Sequence, residues 1–140
     1  MQYTVIIRKS KLEYVVICLD RHGEGVDGKL DLERIAAVIR DSKADIVALQ
    51  EVDQNVTRSK SVDQPAELGR LSGLKAVFGQ NIPLQGGGYG NAVLSRYPIS
   101  QITFAATERV GRTAFRVMRA VIDFDGTPIA FYAVHAPTPR

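Results

Sequence analysis

Residues 44–53 (ADIVALQEVD) constrain the fold of this chain more than any other stretch. Ile46, Val47, Ala48 and Leu49 form a continuous apolar run that is too short for a helix and rich in β-branched side chains. Such a run reads as a strand buried on both faces. It stops on Gln50, Glu51 and Asp53. Open α/β sheets keep their chemistry at the carboxyl ends of central strands. Glu51 is therefore the first candidate for a functional carboxylate.

The flanking sequence supports that placement. Residues 14–19 (YVVICL) form a second apolar run, followed by the polar, glycine-containing loop 20–25 (DRHGEG). In residues 31–42, Asp31 is placed to cap a helix whose Leu32, Ile35, Ala36 and Ile39 share one face. Strand, helix and strand in this order form a βαβ unit with parallel strands. The 20–22 loop and Glu51 then lie on one edge of the sheet. Beyond Asp53 the spacing predicts an exposed loop over 54–64, a short helix over 65–71 and a strand over 75–79. Residues 85–91 (QGGGYGN) read as the most flexible segment, followed by a strand over 92–94. The remainder is β in texture, with strands over 102–105, 117–124 and 129–134 and a hairpin turn at 125–128.

With 140 residues the chain has the size of one domain and enough length to bury a core. Its single cysteine, Cys18, stands in an apolar run and reads as a buried thiol, which suits a reducing compartment. No stretch has the ~18 apolar residues of a membrane span. Arg8, Lys9, Lys11 and Glu13 interrupt any signal-peptide core. The expected location is cytoplasmic. A net charge of +3 suits a polyanionic partner but is weak evidence for nucleic acid on its own.

Several residue types then compete for a chemical role. Gln50, Glu51 and Asp53, beside the 20–22 loop, offer oxygen ligands to Mg²⁺, which takes one or two carboxylates and keeps several waters. The glycine-rich segment is not a P-loop, since no Gly-Lys-Ser/Thr follows Gly90. It reads as a plain connection or as a loop beside a phosphate, with Asn91 as a polar contact. His135 follows the last strand directly and suits either a surface residue or a phosphate-stabilising acid. His22 reads as a structural or loop donor. Arg109, Arg112, Arg116 and Arg119 resemble a basic patch, or a solvated sheet face where they alternate on a strand.

Taken together, residues 44–53 (ADIVALQEVD), 89–99 (YGNAVLSRYPI) and 131–137 (FYAVHAP) resemble the endonuclease/exonuclease/phosphatase superfamily, the deoxyribonuclease I-like metal-dependent phosphoesterases. The likeness runs from about His22 to His135 and covers about the first half of the family's domain. It implies an α/β (α+β) fold, the amino-terminal half of a four-layered α/β sandwich. Residues 1–140 would form a single partial domain, with 1–13 a variable amino-terminal extension. The resemblance also implies hydrolysis of phosphodiesters or phosphomonoesters with Mg²⁺ or Mn²⁺. By matching position Glu51 is the metal-binding glutamate and His135 the histidine that stabilises or protonates the phosphate. Asn91 and Arg96 fall in the motif at the rim of the site, as substrate contacts. The substrate would be a nucleic acid, a nucleotide, an inositol phosphate or a lipid headgroup.

Two departures accompany the likeness. The family has a metal-binding asparagine at the end of its first strand. Aligned without gaps on His22-Gly23 that position is Leu19, and Asp20 takes it after a shift of one residue. The family's Gly-Asp-x-Asn and Ser-Asp-His segments lie downstream of Arg140. A half sandwich is expected to expose an apolar sheet face and to self-associate through it. The alternative function is an inactive fragment or pseudoenzyme that binds a phosphate ligand or a protein.

Overall fold

A computed structural model describes residues 4–9, 12–106 and 116–134. Strands β1 (Thr4–Lys9) and β2 (Leu12–Cys18) lead through a 3-10 turn (Asp20–Gly23) to helix α1 (Leu32–Ser42). Strand β3 (Ile46–Gln54), a second 3-10 turn (Thr57–Ser59) and helix α2 (Gln64–Ser72) follow. Strands β4 (Lys75–Leu84), β5 (Gly87–Ser95), β6 (Ile99–Ala106), β7 (Arg116–Phe124) and β8 (Thr127–Ala133) complete the order. Five strands form one sheet in the order β1-β2-β3-β5-β4, and β6-β7-β8 form a second.

The expected βαβ unit is present, with β2 and β3 parallel and Cys18 opposite Gln50. Asp31 accepts the Arg34 backbone N–H at 3.1 Å and so starts α1. Lys43, with φ 53°, ends it in the left-handed region. Asp63 caps α2 in the same way, through the Ala66 N–H at 3.0 Å, with Pro65 in the first turn. Both helices lie on one face of the larger sheet. Ile35, Ala36, Ile39 and Leu68 pack there against Val15, Ile17, Leu19, Val47, Leu49, Ala92 and Leu94.

On the other face Ile46, Ala48 and Val93 meet Met118, Ala120, Ile122 and Ala133 of the smaller sheet. Tyr14 and Phe131 join the two sheets edge to face at 5.7 Å. Helix, sheet and sheet are thus stacked as layers of an α/β sandwich. The inner faces cover one another, so the expected bare apolar face is reduced to scattered residues. Among the described residues, Ile102 and Phe104 on β6, with Tyr132 and Val134 at β8, are the large apolar side chains left exposed on the smaller sheet. Among the described residues no helix is long and apolar enough to cross a membrane.

The glycine-rich segment departs from expectation. Only Gln85 and Gly86 form a turn, with φ 45° and 82°, and Gly87 already begins β5. Two consecutive left-handed residues suit the right-handed twist of the hairpin. The glycines that follow serve close approach rather than flexibility. A Cβ on Gly87 would run into the backbone of Gln54 and Asn55, and one on Gly90 into the Gly79 carbonyl. The β7–β8 turn is likewise shorter than expected, just Asp125 and Gly126 at φ 49° and 85°.

Candidate active site

A β-bulge in β3 decides where Glu51 points. Ile46 and Ala48 face the second sheet, whereas Val47 and Leu49 face the helices. Strict alternation would continue by aiming Glu51 at the helix-side core and Val52 away from it. Instead the β3–β5 register slips between Leu49↔Ala92 and Val52↔Gly90, so Gln50 and Glu51 together oppose Asn91. Glu51 adopts φ 59°, which absorbs the extra residue. Val52 stays in the helix-side core, fully buried, and Glu51 turns to the face shared by Asn91 and Tyr89. A non-glycine residue held in the left-handed region costs about 1–2 kcal/mol, and such strain concentrates at functional sites.

Asn91 faces this bulge and is 1% exposed, and neither its amide nitrogen nor its carbonyl oxygen has a hydrogen-bond partner among the described residues. An orphaned buried amide of this kind costs about 1–3 kcal/mol. Its strand neighbour on the β4 side is Gly79, where a Cβ would stand 2.7 Å from Phe104. On the β2 side the row continues to Gln50, whose side-chain amide donates to the carbonyl of Val134. Val134 is the last described residue, and His135 lies outside the described residues, as do Arg109 and Arg112.

Asp53 was expected to join Glu51 as an oxygen ligand, and the geometry removes it from that role. Its side chain is fully buried, and its two oxygens accept from Arg58 Nε at 2.9 Å and Nη2 at 2.8 Å. Arg58 also lies 5.3 Å above the centre of the Tyr89 ring. The Asp53 hydrogen bonds raise the pKa of the guanidinium further, with a smaller contribution from the Glu51 charge. Buried Gln64 joins this unit to the first loop: it accepts the Asp53 N–H at 2.9 Å and donates to the His22 carbonyl at 2.8 Å. The 20–22 loop and Glu51 do share one edge of the sheet. Sequence reasoning missed Arg58, Tyr89 and Gln64; the polar loop after Asp53 carried no signal of their convergence.

Leu19 is fully buried in the helix-side core, with its N–H donating to the Gln50 carbonyl at 2.9 Å. Asp20 opens the 3-10 turn at the carboxyl end of β2. Arg96 is not at this edge. It stands five positions along the chain from Asn91, about 17 Å. Its N–H donates to the Asp45 carbonyl at 2.9 Å and its Nε lies 3.1 Å from Asp45 Oδ1, at the amino end of β3. Its place beside Asn91 in the motif does not bring it to the Glu51 face.

Burial, and next the charge of Glu51, push the Tyr89 phenol up to about 12. A phenol whose folded pKa exceeds its unfolded value binds more protons in the folded state between the two. Stability conferred by Tyr89 is therefore fully present below pH 10 and is lost as pH rises towards 12. Glu51→Gln is expected to lower the Tyr89 pKa and narrow this window. Absorbance titration at 295 nm of the parent, Glu51→Gln and Tyr89→Phe forms checks it, and an unmoved titration in Glu51→Gln would contradict the coupling.

The family model described as the endonuclease/exonuclease/phosphatase family matches residues 21–140. The chain belongs to this family, whose enzymes hydrolyse phosphate esters. Among solved structures it is similar to an endonuclease/exonuclease/phosphatase from Beutenbergia cavernae, at 26% identity and a TM-score of 0.72. That match covers 91% of this chain and 39% of the other. A humanized TDP2 from D. rerio shares the fold at 15% identity and a TM-score of 0.68, over 94% of this chain and 50% of that one. A family protein from Leptotrichia buccalis matches at 21% identity and a TM-score of 0.58, over 77% and 48%. The chain thus spans half or less of the length of these structures. No curated protein matches it.

Proposed function

We propose that this chain carries the Glu51 part of a metal-dependent phosphoesterase site. Among the described residues no three His, Cys, Asp or Glu side chains form a group able to hold a metal ion. A hard cation that keeps most of its water asks for less: one or two carboxylates and the substrate phosphate suffice. Glu51 on the bulge supplies a carboxylate, and the Asn91 amide opposite it is placed to meet a phosphate. The Asn91 amide is the observation that carries the reading, since a fully folded strand leaves it unsatisfied among the described residues. Glu51 would hold Mg²⁺ or Mn²⁺, with Asp20 as a second carboxylate from the β2 edge. When bound, the ion would stabilise negative charge on the phosphoryl oxygens. Asn91 would orient the phosphate, and His135 would hold a proton towards it.

The substrate is a phosphate ester, from a nucleic acid, a nucleotide, an inositol phosphate or a lipid headgroup. One observation favours a second reading, a non-catalytic phosphate-binding module. Leu19, the gap-free counterpart of the family's asparagine, is spent entirely on the core. Titration with Mg²⁺, followed at the Asn91 side-chain amide by NMR, separates a site from a packing defect. A saturable shift that disappears in Glu51→Gln is expected, and no shift in the parent protein would overturn the assignment of a metal to this face. Asn91→Leu should raise stability by about 1–2 kcal/mol, because it removes an unsatisfied polar group.

A further inference from the structure

Arg58 borders a second feature that the phosphoesterase reading does not use. A surface groove of about 370 Å³ is lined by His22, Glu24, Lys29, Leu30, Arg58 and Lys60. Its walls are the loops that leave the carboxyl ends of β2 and β3, so it opens beside the Glu51 face. Its volume lies in the range of small-ligand sites.

The charges in this groove are unevenly compensated. Glu24 lies 3.9 Å from His22, and Asp53 takes the Nε and Nη2 of Arg58. Lys29 and Lys60 form no ion pair among the described residues, and both are exposed. Arg58 is also held rigidly. Its N–H donates to Gln85 Oε1 at 2.9 Å, and the neighbouring Thr57 hydroxyl donates to the Gln85 carbonyl at 3.0 Å. With its guanidinium fixed by Asp53 and Tyr89, Nη1 is the edge that makes no hydrogen bond among the described residues. Glu24 is the one carboxylate among the lining side chains, against the Lys29 and Lys60 ammonium groups and the fixed guanidinium edge, so the groove keeps a positive excess and is an anion receptor with little ordering cost.

We infer that the groove binds a second phosphate group of the substrate, with Lys29 and Lys60 setting the preference and Arg58 presenting its free edge. The inference rests on the phosphoesterase reading, because the first phosphate is the one beside Glu51. It narrows the substrate to molecules with two phosphates, the scissile ester and another nearby. The second phosphate could belong to a nucleotide strand or to a phosphorylated inositol.

The test compares thymidine 5′-(p-nitrophenyl phosphate) with its 3′-phosphorylated analogue. The extra phosphate is expected to lower KM by about tenfold, and Lys29→Ala/Lys60→Ala to erase that preference with kcat unchanged. Equal KM values in the parent protein, or an intact preference in the double variant, would overturn the inference and leave the phosphoesterase reading standing. A binding arm keeps the two separable. Thymidine 3′,5′-bisphosphate, titrated without metal, should shift the backbone amides of Lys29, Arg58 and Lys60 in the parent protein only, and more weakly as salt rises. That result without turnover would sustain the groove and refute the esterase, whereas no binding would refute the groove. Inositol 1,4-bisphosphate titrated in parallel tells a sugar source of the phosphate from a nucleotide one.

Discussion

Replacing Glu51 by glutamine is expected to lower metal-dependent hydrolysis of bis(p-nitrophenyl) phosphate by about 1,000-fold, the effect of removing several kcal/mol of charge stabilisation. The substitution keeps the size of the side chain, so it tests charge rather than packing. Its companion is Glu51→Gly, which tests the backbone. At φ 59° a non-glycine residue is strained by about 1–2 kcal/mol, and glycine relieves that strain while adding unfolded-state entropy of similar size. The backbone therefore tolerates Glu51→Gly at little net cost, and the variant should lack metal-dependent activity. Chelation of the parent protein should reproduce the loss. Activity retained in Glu51→Gln would sink the assignment, and a collapse of Glu51→Gly would mean that the carboxylate is structural.

The same position shows how far the sequence alone can be read. The apolar run 46–49 announced a buried strand, because β-branched residues in so short a run have few other uses. Asp31 announced the start of α1, because a capping carboxylate acts on its own local backbone. The bulge at Gln50-Glu51 has no local signature. It follows from pairing with β5, which is 36 residues or more away in sequence. Without it, alternation assigns Glu51 to the wrong face. The glycines of 86–90 were ambiguous for a related reason. Freedom of φ and the absence of a Cβ are the same chemical fact, and only the neighbouring backbone shows which is used. Arg96 shows the limit of adjacency: five positions carry the chain from the middle of β5 at Asn91 to just past its end.

Breaking the Asp53–Arg58 pair should cost the most stability of any substitution near the site. Asp53 is fully buried, its N–H is held by Gln64 and both its oxygens by Arg58, so nothing in the fold lets water reach it. Arg58→Ala leaves that carboxylate charged and unpaired, a loss of about 3 kcal/mol after allowing for the third of the Arg58 side chain that meets solvent. For a domain of this size that is a fall of roughly 10 °C in Tm. The converse, Asp53→Asn, strips the anchor from a guanidinium that can still turn to solvent, and should cost less. If the pair acts as a unit, Asp53→Asn/Arg58→Gln should recover part of the loss, since a neutral amide pair leaves no buried charge. Thermal and urea unfolding of the three variants measure the coupling. Additive losses would show that Arg58 matters through Tyr89 instead, and that the carboxylate finds another partner.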